Sequence, residues 1–101
     1  MRDRNELHDT LEKILGSRNV YYQPPASVKM NFPAIVYSKS SIENSHADNL
    51  VYRQDISYEI VVIDKNPDSK ATEIISRLPK CRFNRHYVTD NLHHDVFTLF
   101  L

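Results

Sequence analysis

The chain has no tryptophan, one glycine and one cysteine, and the last two scarcities each close off a class of function. A phosphate cradle needs several glycines, because its backbone must approach the phosphate closely, and Gly16 alone cannot build one. Cys81 has no partner for an internal disulfide, so the chain reads as made inside the cell rather than as a disulfide-stapled secreted domain. The opening M-R-D-R-N-E-L-H lacks the apolar segment of a signal peptide. No apolar run approaches the roughly 20 residues needed to span a bilayer. Net charge is missing as well: 13 basic side chains balance 13 acidic ones, so no global field draws the protein to DNA or to an anionic membrane. The expectation is a soluble protein with no membrane partner and with nucleic acid disfavoured. Its 101 residues suffice for one domain, 1–101, with a modest core.

What the chain does have is pattern. In the stretch V-Y-R-Q-D-I-S-Y-E-I-V-V-I-D-K-N-P-D-S from Val51, the positions Tyr52, Gln54, Ile56, Tyr58, Ile60 and Val62 alternate with Arg53, Asp55, Ser57 and Glu59. A period of two predicts a strand with one buried face. The unbroken Ile60-Val61-Val62-Ile63 predicts cover on both faces at the end of that strand, one of them by a helix. Pro67 stops the strand, and Asp68 or Ser69 offers a side-chain oxygen to the free N–H groups of the next helix. Pro67, Asp68 and Ser69 therefore read as a structural junction.

The remaining elements arrange themselves around this strand. Leu7, Leu11, Ile14 and Leu15 recur at helical spacing and Gly16 follows as a helix end, giving a first helix over about 3–15. Val20, Tyr21 and Tyr22 form a short extended piece closed by Pro24-Pro25, and an apolar strand starts at Ala34. The polar residues 43–50 predict a long hairpin loop between that strand and the central one. Ala71, Ile74, Ile75 and Leu78 mark a second helix, ended by Pro79; two strands follow, over 81–88 and 96–101. The last is apolar enough for the inside of a sheet rather than its edge. The predicted fold is α+β, a mostly antiparallel sheet of four or five strands with two helices packed on one face. Its expected order is first hairpin, then the C-terminal strand, then the strand from Cys81.

Four residues have zinc-type chemistry: Cys81, His86, His93 and His94. Their spacing fits no finger, and adjacent His93 and His94 on a strand point to opposite sides. A lone thiol is most often a small buried hydrophobe, so no metal ligand is assigned. A Cys81–His86 nucleophile pair lacks an orienting third group and an oxyanion hole. Asp55 and Glu59, four apart on a strand, lie roughly 13 Å from each other, too far to work as a paired acid and base. Lys80, Arg82, Arg85 and His86 make a local basic cluster. Strict alternation places Phe83 and Tyr87 on the face opposite Arg82 and His86, as a core-facing row, which argues against a nucleic-acid strip. Arg53, Asp55 and Glu59 read as a solvated or partner-facing row. Tyrosine and arginine are favoured at protein interfaces, and the chain has six tyrosines. The residues themselves lead to a small α+β interaction domain.

Resemblance leads further. The run P-P-A-S-V-K-M-N-F-P-A-I-V-Y from Pro24, A-D-N from Ala47, Y-R-Q-D-I-S-Y-E-I-V-V-I-D-K-N-P-D-S from Tyr52 and L-P-K-C-R-F-N-R-H-Y-V-T-D-N-L-H-H from Leu78 resemble the tail terminator, or tail completion, proteins of siphophages and prophages of Gram-positive bacteria. The similarity spans nearly the whole chain and rests most on M-N-F-P-A-I-V-Y and V-I-D-K-N-P-D-S, neither of them a catalytic motif. It implies a subunit that assembles into a hexameric ring, caps the finished tail tube and presents a surface to the head-completion, or stopper, protein. It implies a place in the virion tail after synthesis in the bacterial cytoplasm, no enzyme activity and no cofactor. The alternatives are another head-tail connector or minor capsid protein, or a small nucleic-acid-binding domain using the basic cluster at 80–86, Lys80, Arg82, Arg85 and His86. The contact surface is expected at Arg53, Asp55 and Glu59 together with the loop around His46 and Asp48, where side chains leave the core on a rigid backbone.

Overall fold

A computed structural model of the protein describes residues 3–47 and 50–101. Asp3 opens the first helix, α1 (Arg4–Leu15), by accepting the backbone N–H of Glu6 at 2.9 Å, and Gly16 closes it with φ 77°, a left-handed conformation that glycine adopts without steric cost. There follow β1 (Val20–Tyr22), β2 (Ala34–Ala47), β3 (Leu50–Asp64), α2 (Lys70–Ser76), β4 (Cys81–Thr89) and β5 (Leu92–Phe100). The five strands form one sheet in the order β1-β2-β3-β5-β4, with β1 parallel to β2 and every other neighbour antiparallel. The α+β class and the expected strand order hold, and the apolar β5 lies inside the sheet as its composition requires. Asp90 and Asn91 join β4 to β5, both with the positive φ that a two-residue type I′ turn demands.

The register builds the core in rows. Tyr22, Tyr37, Ile60, Phe97 and Phe83 stand opposite one another across all five strands, and Val20, Ile35, Val62, Asp95 and His86 make the next row. Leu7 and Leu11 of α1 and Ala71 and Ile75 of α2 share one buried cluster with Tyr58, Ile60 and Val62, the face of β3 that alternation marked as internal. Ile63 is also buried, on the opposite face, which accounts for the unbroken apolar run there. The link between α1 and the sheet has a polar component. Tyr37 is 1% exposed, its hydroxyl lies 2.6 Å from His8 Nδ1 and accepts from Arg4 at 3.5 Å, and its ring packs against those of Tyr22 and Tyr58. The Arg4 guanidinium lies 4.3 Å from the centre of the Tyr22 ring, within cation–π range.

One expectation is corrected by the hairpin. Residues 43–47 and 50 are not a loop: they continue β2 and β3, with Glu43 opposite Asp55, Asn44 opposite Gln54 and Ala47 opposite Leu50. β5 ends at Phe100 opposite Ser57, and the Leu101 N–H adds a last bond to the Ile56 carbonyl. Beyond this point β3 pairs with β2 alone, and the two strands project as a ribbon. The outline is accordingly 52 × 29 × 24 Å, and the radius of gyration of 14.7 Å exceeds the roughly 12.7 Å of a compact chain of this length. The polar sequence of the ribbon looks like loop while its backbone groups satisfy one another in a ladder.

The junction before α2 also differs in detail. Ser69 occupies the N-cap position but its side chain makes no capping bond. The turn is held earlier, by Asp64 Oδ1 accepting from the Asn66 N–H at 3.0 Å and Asn66 Oδ1 accepting from the Asp68 N–H at 2.9 Å. These are Asx turns, with Pro67 between the second pair. α2 ends at Ser76, short of Leu78.

Two measurements check this account of the core. Tyr37→Phe removes the hydroxyl that ties His8 and Arg4 to the sheet and should cost about 1 kcal/mol, read as a lower urea midpoint with an unchanged slope; an unchanged midpoint removes the bond from the account. Burial also pushes the Tyr37 and Tyr58 hydroxyls above their ordinary value. As pH rises past about 10 the unfolded chain releases these protons before the folded one, so this contribution is fully present below that pH and is lost above it. Urea midpoints should therefore fall more steeply above pH 10 in the wild type than in a variant carrying Phe at both positions.

Candidate functional site

β4 is an edge strand, and every residue from 82 to 89 is exposed. Its pairing with β5 runs Arg82 to Thr98 and Phe83 to Phe97, then jumps to Arg85 with Val96, His86 with Asp95 and Tyr87 with His94. Asn84 is the extra residue, and its amide donates to Thr98 Oγ1 at 2.7 Å. A bulge of this kind resets the alternation of a strand. Phe83 and His86 consequently share the side that faces the core, while Arg82, Arg85 and Tyr87 share the other. This reverses the expected partition, in which Tyr87 stood with Phe83 and against Arg82.

On the core side the bulge completes a chain of polar groups. Asp95, only 6% exposed, accepts from Thr72 Oγ1 of α2 at 2.7 Å through Oδ2, and its Oδ1 lies 2.5 Å from His86 Nδ1. A carboxylate can only accept here, so Nδ1 of His86 carries the proton and donates it; in the neutral form of the ring the lone pair is then on Nε2. That nitrogen faces His93 Nδ1 at 3.3 Å, with the two rings tilted by 30°. His94 points the other way, as adjacent strand positions must: it stacks on Tyr87 with centroids 4.6 Å apart, and its Nδ1 donates to the Leu92 carbonyl at 3.1 Å. The Arg85 guanidinium lies 5.6 Å from the centre of the same Tyr87 ring. Cys81 sits at the far end of β4 opposite Leu99, packed against the core, and burial pushes its thiol up, away from the reactive thiolate. Of the four zinc-type residues, then, the fold brings together only His86 and His93.

Asp95 and Thr72 were missed by reading motifs. β5 begins at Leu92, four residues before the expected start at 96, so Asp95 stood outside the expected strand. Thr72 on α2 had no signal of its own, because the contact is made by packing across 23 residues of sequence.

The predicted contact row is divided by the fold. Glu59 is half-buried on β3 between Ser38 and Thr98, within the full sheet, whereas Asp55 is half-buried on the ribbon and His46 is exposed towards its far end. Ser57, between the two acids, is 2% exposed and bonds the Ser41 hydroxyl at 2.7 Å. The backbone of Arg53 pairs with Ser45, and Asp48 lies outside the described residues. Glu43, Asp55, Lys80, Phe100 and Leu101 line a surface cavity of about 260 Å³ at the root of the ribbon. Glu43 and Asp55 stand opposite each other across the ladder there.

Compared with protein-family models, with curated proteins and with solved structures, the chain has no match. Among the described residues no helix is long and apolar enough to cross a membrane.

The polar chain is testable by deletion. Asp95→Ala leaves His86 and Thr72 without their common acceptor and should cost about 2 kcal/mol, more than Thr72→Val at about 1 kcal/mol. Urea unfolding of the two variants should show that ranking, and equal midpoints would remove Asp95 as the centre of the network.

Proposed function

We propose that this chain is a structural subunit of a phage tail, acting without chemistry at any residue or any cofactor. Copies close into a ring on the end of the tail tube, stop its growth and offer the surface that joins the head. The observation that carries this reading is the β2–β3 ribbon. It extends about 20 Å past the end of β5, estimated from the rise per residue of residues 50–56. A lone two-stranded ribbon is marginal in water, so an arm of this kind gains stability when another surface covers it. An arm that seats on a different patch of the next copy makes a head-to-tail contact, and such a contact closes into a ring when its rotation permits.

The stretches that resemble tail terminators support the same reading from the sequence side. M-N-F-P-A-I-V-Y runs into the beginning of β2, and V-I-D-K-N-P-D-S spans the end of β3 and the turn into α2. The proposed contact surface is Arg53, Asp55 and Glu59 with His46 and Asp48. With so small a subunit each interface is near or below the standard total of roughly 1,600 Å², so free protein is monomeric until a tube end templates it. The tube protein and the head-completion protein are the other partners, and the tail of the virion is the location.

Electron microscopy of the protein mixed with polymerised tail-tube protein tests this directly: rings at tube ends are expected, and wild-type protein that binds no tube sinks the reading. Charge reversal at Arg53 and Glu59 together should leave the thermal midpoint of the monomer nearly unchanged and give tails of uncontrolled length or tails that fail to join heads. Normal tails from that variant would move the contact elsewhere on the surface.

A second reading is favoured by the bulge at Asn84, which gathers Arg82, Arg85 and Tyr87 on one exposed face. Two cations beside an aromatic ring suit a single-stranded nucleic acid, through phosphate contact and base stacking. That reading requires an affinity that falls steeply with salt and weakens in Arg82→Ala plus Arg85→Ala.

A further inference from the structure

We infer that His86 and His93 form a two-point site for a divalent transition-metal ion of the zinc class, with Asp95 as the positioning residue. The inference stands on the geometry of β4, β5 and α2 and is independent of the ring reading. His86 Nε2 and His93 Nδ1 face each other at 3.3 Å. That separation is within hydrogen-bonding range when one of the two nitrogens carries a proton. It matches the bite of a single ion: with metal–nitrogen bonds of about 2.05 Å, the angle between them is about 107°, close to tetrahedral.

The surroundings are those of a metal-binding histidine. Such a residue commonly donates its other ring N–H to a carboxylate, which fixes the tautomer and strengthens the coordinating nitrogen. Asp95 provides this at 2.5 Å from His86 Nδ1, and its second oxygen is held by Thr72. The carboxylate is nearly inaccessible to water, while the His86 side chain is 39% exposed. An ion from solution therefore reaches the imidazole nitrogens and not the buried oxygens. Imidazole donors select zinc, nickel, cobalt or copper; magnesium and calcium take oxygen ligands. The bulge at Asn84 is what makes the pair, since regular alternation would put His86 on the side of β4 away from Asp95. Two protein donors leave the remaining positions of the ion to water.

Calorimetric titration of chelator-stripped full-length protein with zinc chloride, followed by NMR of the histidine rings, provides the test. Saturable uptake of one ion per chain is expected, with the His86 and His93 ring signals shifting together. His93→Ala, a surface change, should weaken binding by about tenfold or more. Asp95→Asn should weaken it by about 10–100-fold, the usual range for loss of a carboxylate behind a ligating histidine. His94→Ala and His8→Ala should bind as the wild type does, because His94 stacks on the opposite face and His8 pairs with Glu12 on α1. Absence of saturable binding overturns the inference, as does wild-type affinity in His93→Ala or loss of binding in His8→Ala. A tube-binding wild type that takes up no zinc would refute this site and leave the ring reading standing.

Discussion

Strand β3 has a neighbour on each side over residues 57–63 and only one over residues 50–56, and the rest of the molecule depends on that change. In the doubly paired half, the strand contributes Tyr58, Ile60 and Val62 to the common core. In the singly paired half the strand loses β5 as a neighbour; Ile56 at its root still packs against the core, and with Gln54 it lines a surface cavity beside Arg4 of α1. One continuous strand thus passes from an interior element to an arm, and the order of its neighbours requires this. β5 is nine residues long and β3 fifteen, so part of β3 must run on past its partner.

How far this was legible depends on whether the cause was local. Asp3 and Gly16 bound α1 because the cap bond and the left-handed closing residue are written into single positions. The internal face of β3 was readable because Tyr58, Ile60 and Val62 alternate, and the inside position of β5 because Val96, Phe97 and Leu99 would be costly on an edge. The ribbon was not readable: Glu43, Asn44, Ser45 and His46 serve equally in a loop or in a strand whose two faces both meet water. Nor was the partition of β4, since one extra residue at Asn84 inverts every assignment after it and nothing in R-F-N-R-H-Y marks which residue is extra. The Asp95 network was not readable either, because Asp95 precedes the expected strand over 96–101 and its partners come from another strand and a helix. The likeness to tail terminators came from ordered stretches rather than from any local cause, and it enters the functional reading as support of a separate kind.

The two faces of β4 place different chemistry at one edge of the sheet. Arg82 and Arg85, with the Lys80 that precedes the strand, put charge beside unpaired backbone groups, a common means of keeping an edge from recruiting further strands. The core-facing side carries exposed Phe83 and Val88 together with the buried carboxylate and its histidines. The edge is thus guarded by charge on one side and differentiated by polar contacts on the other. The ribbon, by contrast, meets the surroundings with an exposed Ile42 and Leu50 among mixed polar groups. The ribbon and the β4 edge are separated by the width of β3 and β5 within the sheet.

The tyrosine cluster has an optical consequence. Without tryptophan, the near-ultraviolet absorption and emission of the chain come chiefly from its six tyrosines, and Tyr22, Tyr37 and Tyr58 pack ring to ring beneath α1. Arg4 and His8 reach that cluster from the helix itself. Seating or lifting of α1 changes the surroundings of coupled chromophores at once, while the ribbon contributes only Tyr52 to the signal. The molecule thus carries an unlabelled gauge of whether its N-terminal helix is in place.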